Sequence, residues 1–253
     1  MRVAANISTM FKDIPLLERY SKAAQMGFKL VELPFGFTEK PEDLKAAADK
    51  HNLNHILINA KNDDDKGKLG LAAVKGAEEL FKVNMTETIR YADILGVKVV
   101  HVMAGDGDPV KDLDTYKNNI QYAARELAKK GILCVIEPIN KHFRSTYFLN
   151  SFDQAKNIIE DLKEPNLKLL FDVFHCQLIC GQITYQLNRL QGIIGHIQVS
   201  QPPNRNEPDT DGELDYGYIF NVINGFERDW VIGGEYFNVR DNADWVKKFG
   251  LEF

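Results

Sequence analysis

Four side chains able to hold a cation or move a proton stand where apolar runs stop. They are Glu137 in LCVIEPIN (133–140), Asp172 in KLLFD (168–172), Gln198 in IGHIQ (194–198) and Glu235 in WVIGGE (230–235). In each run, strand-forming residues lead straight into an oxygen-bearing group. One polar residue capping one strand is ordinary, but four on successive strands are not explained by chance capping. Three carboxylates brought together repel one another unless protons or a cation neutralise them. A divalent cation is the simplest solution, and an all-oxygen ligand set of Glu137, Asp172, Gln198 and Glu235 suits hard Mg²⁺ or Mn²⁺ better than a thiol-seeking metal.

Those residues can act together only if the chain brings four strand ends to one place. β-rich runs occur at 3–6, 30–33, 55–59, 98–103, 133–137, 168–172, 193–198 and 230–235. Helical patterns lie between and after them, at 14–26, 41–51, 71–95, 112–130, 152–162, 177–190, 216–224 and 242–249. Ile120, Ala123, Ala124 and Leu127 illustrate the three- and four-residue apolar spacing. Gly27, Gly96 and Gly131 follow helices where a left-handed cap is wanted, and Pro15 and Pro41 stand where helices begin. Strict strand–helix alternation implies right-handed βαβ units and a parallel sheet. Eight units in 253 residues predict a single (β/α)₈ TIM barrel over 1–253. A doubly wound open sheet would announce a glycine-rich phosphate turn after its first strand, and NISTMFKD has no glycine. In a barrel, the C-terminal strand ends face the mouth where active sites form. The four oxygen-bearing residues, on strands five to eight, then form an arc around half of that mouth. The two longest interruptions, 60–70 and 201–215, also follow strands.

Composition excludes some partners. With 44% hydrophobic and 26% charged residues the chain reads as soluble and globular, and a net charge of −5 gives no general attraction to nucleic acid or an anionic membrane. No apolar run reaches spanning length and MRVAANIS carries no signal core, so a cytoplasmic address is expected. Cys134, Cys176 and Cys180 do not form a disulfide pattern; Cys176 and Cys180 read as reduced thiols, since no second Cys or His pair completes a zinc set. The segments LPFGF and YFNV could supply a homo-oligomer contact or simply core.

The motifs EPIN (137–140), PNLKLLFDVFHCQ (165–177), GHIQVSQPPNRNEPDTDGELDYGYIF (195–220) and GGEY (233–236) resemble the hydroxypyruvate isomerase family, part of the wider xylose-isomerase-like barrel group. GLAA at 70–73 and HVMAG at 101–105 add to the likeness. The resemblance implies a small 2-keto acid or sugar substrate, with hydroxypyruvate and tartronate semialdehyde interconverted. Gln198 supplies a neutral carbonyl where related sites often use histidine. Moving a carbonyl between adjacent carbons needs one carboxylate on each side of a cis-enediolate and a cation on its oxygens. Glu137 and Glu235 flank the arc and fit as ligand and acid/base together. The DVFH context places His175 in the site, facing a substrate oxygen, and Arg205 in PPNRNEP can clamp a carboxylate with its fork.

The sequence departs from the family after EPIN. His142 and Phe143 stand where many relatives have an arginine and an acidic residue, Arg144 is displaced by one, and His101 stands where asparagine is common. These changes bear on the substrate, leaving open a sugar or sugar-acid isomerase or epimerase of the same group, or a barrel that binds a sugar acid without turnover. An abasic-site endonuclease would need three zinc ions, more strand-end histidines and an Asp-x-His unit where GELDYGY stands.

Overall fold

β-Branched and aliphatic residues on short runs, separated by amphipathic helices, leave each strand buried on both faces. In the computed structural model, which describes residues 1–62 and 69–253, eight such strands close into a barrel. The strands are β1 (Val3–Asn6), β2 (Leu30–Leu33), β3 (Asn54–Asn59), β4 (Val99–His101), β5 (Leu133–Ile136), β6 (Leu167–Asp172), β7 (Ile194–Val199) and β8 (Ile232–Gly234). All neighbours pair in parallel and β8 returns to β1, giving the expected TIM barrel.

Strand alternation sorts the side chains. Ala5, Val31, Ile58, Val100, Ile136, Phe171 and Ile197 belong to the large core between barrel and helices. Leu57, Val99, Val135 and Leu170 form a separate apolar cluster, on the alternate face that points into the barrel. Two residues further along the same strands stand Asn59, His101, Glu137 and Asp172. The pleat that fills the barrel with aliphatics therefore delivers polar groups to its mouth.

The helices are α1 (Leu16–Gln25), α2 (Pro41–Lys50), α3 (Glu78–Leu95), α4 (Leu113–Ala128), α5 (Phe152–Leu162), α6 (Val173–Ile179), α7 (Ile183–Leu190), α8 (Tyr216–Asn224) and α9 (Asp244–Lys248). The glycines expected to cap helices do take positive φ, and Gly96 is the left-handed cap of α3. Two expected helices are corrected. The pattern at 71–95 turns helical only at Glu78, because Gly70 bridges to Ala104 and Gly76 adopts φ +82°. The pattern at 177–190 is two helices, since Gly181 and Gln182 are both left-handed and break the run. Within the interruption at 60–70, residues 63–68 lie outside the described residues. Among the described residues no helix is long and apolar enough to cross a membrane.

Candidate active site at the barrel mouth

Glu137 follows β5, Asp172 ends β6, Gln198 lies in β7 and Glu235 follows β8. Glu137, Gln198 and Glu235, with His175 and Arg205, line one cavity of about 180 Å³. Asp172 reaches this group through Arg205, whose guanidinium donates to Asp172 Oδ2 at 3.2 Å and to Glu235 Oε2 at 2.8 Å. The expected residues of the arc are thus neighbours in space, and Arg205 lies among them rather than in solvent.

Arg205 is 7% exposed and sits at φ +59°, a backbone region costly for a side-chain-bearing residue. The rings of Phe143 and Phe174 lie 5.7 and 5.1 Å from its guanidinium carbon. Burial works against its charge, but Glu235, Asp172 and Glu137 outweigh this and raise its pKa. Its Nε has no partner, so the fork keeps a donor beyond the two ion pairs.

The carboxylates are held unevenly. Asp172 also caps α6, its Oδ1 accepting from Phe174 N at 2.8 Å. Burial raises its pKa, with Arg205 and the backbone N–H groups opposing. Burial pushes Glu137 well above the ordinary carboxylate range, and Asp172 and Glu235 add to the shift. Its Oε1 is buried without a partner. Glu235 is pushed up to about 7, by burial first, against the pull of Arg205.

His175 lies in the first turn of α6. Its Nδ1 accepts the backbone N–H of Asn140 at 3.1 Å. A neutral imidazole that accepts at Nδ1 carries its proton at Nε2. Burial, helped by Arg205 and His101, holds its pKa well below the usual imidazole value, so it is neutral. Its Nε2–H therefore faces Asp172 Oδ2 at 3.7 Å and Glu137 Oε1 at 4.0 Å as a donor. His101 stands 3.7 Å from Glu137, and its buried Nε2 is also unpartnered. Burial takes its pKa down to about 3.

The donors fit a divalent cation. Among the described residues, Glu137, Asp172 and His175 have potential ligand atoms within 4.8 Å of one another. The orphaned Glu137 Oε1 and the crowded carboxylates could serve a hard cation, which would compete with Arg205 for the oxygens of Asp172 and Glu235. The tautomer of His175 favours oxygen ligands over its nitrogen. Cys176 and Cys180 are free thiols with sulfurs 4.0 Å apart and join no such group.

Several contributors escaped sequence reading. Glu32 is fully buried and binds Gln198, Asn6 and His196. In LVELP a carboxylate interrupts an apolar run, with a proline two residues on, and that is the signal that could have found it. The ring of Phe143 covers Arg205, while Arg144 pairs with Asp106. Phe35 of LPFGF and Phe237 of YFNV are partly exposed at the cavity rim.

A parallel eight-stranded barrel with buried carboxylates at its mouth defines a class, and comparison places the chain within it. Residues 20–249 match the xylose isomerase-like TIM barrel family, and the chain belongs to that family. It is 42% identical over its full length, and 98% of the relative's, to a Caenorhabditis elegans protein provisionally named hydroxypyruvate isomerase. It is 38% identical to the 2-oxo-tetronate isomerase of Cupriavidus necator H16, covering 93% and 92% of the two chains. To the hydroxypyruvate isomerase of Escherichia coli K12 it is 36% identical, covering 93% of each. A Brucella melitensis crystal structure named as a family 2 AP endonuclease superposes with a TM-score of 0.93, at 32% identity over 98% of both chains.

Proposed function

We propose that this protein is an isomerase interconverting hydroxypyruvate and tartronate semialdehyde through a cis-enediolate, with a divalent cation, Mg²⁺ or Mn²⁺, held by Glu137, Asp172, Gln198 and Glu235. The observation carrying this reading is the pair of high-pKa carboxylates, buried Glu137 and largely buried Glu235, lining one small cavity beside a buried arginine. A bound cation would stabilise negative charge developing on the two substrate oxygens.

The chain's own groups account for the rest. Arg205 holds the substrate carboxylate through its unpartnered Nε and remaining fork hydrogens. One glutamate removes a proton from C3 and the other delivers a proton to C2. The hydroxyl proton passes from O3 to O2, the change in bonding that moves the carbonyl. His175 donates from Nε2 to a substrate oxygen. A carboxylate with pKa near 7 is suited to both taking and returning a proton at neutral pH. Phe35, Phe143 and Phe237 shield the cavity from water.

A 2-keto-3-hydroxy acid one carbon longer would present the same reacting unit, so 2-oxo-tetronate belongs to the same reading. An endonuclease is less well supported: His196 is engaged by Glu32, leaving His101 and His175 at the cavity, and the net charge of −5 suits no phosphate backbone.

Replacing Glu137 or Glu235 by Gln keeps the shape but removes the proton chemistry. Each variant is expected to lose nearly all net isomerisation of hydroxypyruvate. One of the two should still exchange substrate hydrogen with D₂O, which needs removal and return at a single carbon. NMR in D₂O reads both. Near wild-type isomerisation by both variants would sink the two-carboxylate mechanism, and no turnover by the wild type with added cation would leave a binding protein.

A further inference from the structure

Beneath the cavity the barrel interior is divided into two unlike halves. On β3 to β6 it is filled by Leu57, Val99, Val135 and Leu170. On the other four strands the inward positions are His196 on β7, Gly233 on β8, Ala4 on β1 and Glu32 on β2. Gly233 and Ala4 leave room for a polar group, and a Cβ on Gly233 would run into the Glu32 carboxylate. That carboxylate is fully satisfied. Its Oε2 accepts from Gln198 Nε2 at 2.7 Å and Asn6 Nδ2 at 3.1 Å, and its Oε1 pairs with His196 Nε2. Asn6 in turn accepts the backbone N–H groups of Ser8 and Thr9, both at 3.2 Å, and these two residues line the cavity.

A glutamine amide has an oxygen end and a nitrogen end of nearly the same shape, and either can face a given neighbour. It is the Gln198 nitrogen that meets the Glu32 carboxylate, so Oε1 is the atom left for the cavity. We propose that Glu32, braced by His196, is a positioning residue that locks Gln198 with its carbonyl oxygen toward the cavity and, through Asn6, fixes the Ser8–Thr9 turn. The purpose assigned to that oxygen rests on the cation reading above; the lock itself does not. The arrangement also accounts for an amide at 198, since a carboxylate there would have no N–H to give the Glu32 oxygen 2.7 Å away.

The test compares wild type, Glu32→Gln, Gln198→Glu and the double variant E32Q/Q198E, in which the two groups exchange roles. Side-chain amide NMR of metal-free, ¹⁵N-glutamine-labelled protein, assigned by the signal missing in Q198E, reads the lock. The Gln198 amide should exchange slowly with water in wild type and rapidly in E32Q. Electron paramagnetic resonance titration with Mn²⁺ should find E32Q weaker by about 10-fold or more, the range typical of losing a ligand's orienting partner. The double variant should recover affinity to within about 3-fold of wild type and melt above Q198E. An unchanged Gln198 signal in E32Q, or Mn²⁺ affinity equal to wild type, overturns the proposal. Should E32Q alone fail to fold, the melting order of Q198E and the double variant decides, and a double variant no more stable than Q198E overturns it. If wild type binds no Mn²⁺, the cation reading fails while the amide signal and melting order still judge the lock.

Discussion

Arg205 is the cation on which the carboxylates of the site converge. It is the guanidinium among Asp172, Glu235 and Glu137, and substitution changes more than charge. Lysine would keep the charge but lose the fork that reaches two carboxylates while leaving Nε for a ligand. Arg205→Lys is expected to raise KM for hydroxypyruvate by an amount corresponding to about 1–3 kcal/mol, the worth of a charged hydrogen bond. Steady-state kinetics check this, and unchanged KM would remove Arg205 from substrate binding. The glutamates give a second residue-scale expectation. With Glu235 at about 7 and Glu137 held well above the ordinary carboxylate range, a cation must compete with protons for these groups. Mn²⁺ affinity should therefore rise between pH 6 and 8, by up to tenfold per unit for each proton displaced. Calorimetry in buffers of different ionisation enthalpy would count the protons released, and a flat profile would exclude displacement. Glu137, Asp172, Gln198 and Glu235 were legible in the sequence because each interrupts an apolar run at the place a barrel exposes. Glu32 also interrupts an apolar run, but its role is not written there. Its meaning depends on His196 and Gln198, 164 and 166 residues away in sequence, and no local pattern encodes such a pairing.

The eighth strand illustrates how an element serves the site. IGG is a poor strand by composition, since glycine packs nothing and weakens a ladder. Its second residue lies against Glu32, so the missing side chain is what lets a carboxylate occupy the barrel interior. Gly233→Ala forces a methyl group into a buried carboxylate held by three donors. Overpacking of this kind costs about 1–3 kcal/mol, and at about 2–4 °C per kcal/mol for a chain of this size the melting temperature should fall correspondingly. Differential scanning calorimetry measures it, and a stability equal to wild type would mean that Glu32 moves freely. The order and type of the elements followed from period and glycine placement, but their ends did not. Helix α3 starts late because Gly70, at φ +114°, packs against the Met103 backbone and bridges to Ala104. That is a tertiary contact, invisible to the apolar spacing of GLAAVKGAE. The split between α6 and α7 was half visible: Gly181 marks it, but Gln182 at φ +51° has no such signature.

At the scale of the whole barrel, the site is a local cost that the rest of the fold sustains. Glu137 and Glu235 hold protons more tightly folded than unfolded. A carboxyl whose folded pKa is raised stabilises below its unfolded value and loses that contribution as pH rises through the folded one. The neutral histidines act oppositely: His101 and His175, with lowered pKa values, withdraw stability as pH falls below about 6.5, the ordinary imidazole value. Above that point the two raised carboxylates should make the cation-free protein lose stability as pH rises through their folded values. A cation that binds the ionised site restores it by RT ln(1 + [L]/Kd), about 2.7 kcal/mol at a hundredfold excess over Kd. For a chain of this size that corresponds to a rise of about 5–10 °C in melting temperature. Mn²⁺ at such an excess should therefore shift the melt of wild type by that amount at pH 8. At pH 6 the same fixed concentration should shift it less, because protons compete for the carboxylates. Asp172→Asn, which gives up one unit of Coulomb attraction, should show a clearly smaller shift at both pH values. Equal shifts for Asp172→Asn and wild type would take Asp172 out of the cation site, and a larger shift at pH 6 than at pH 8 would contradict the assignment of raised carboxylate pKa values to the barrel mouth.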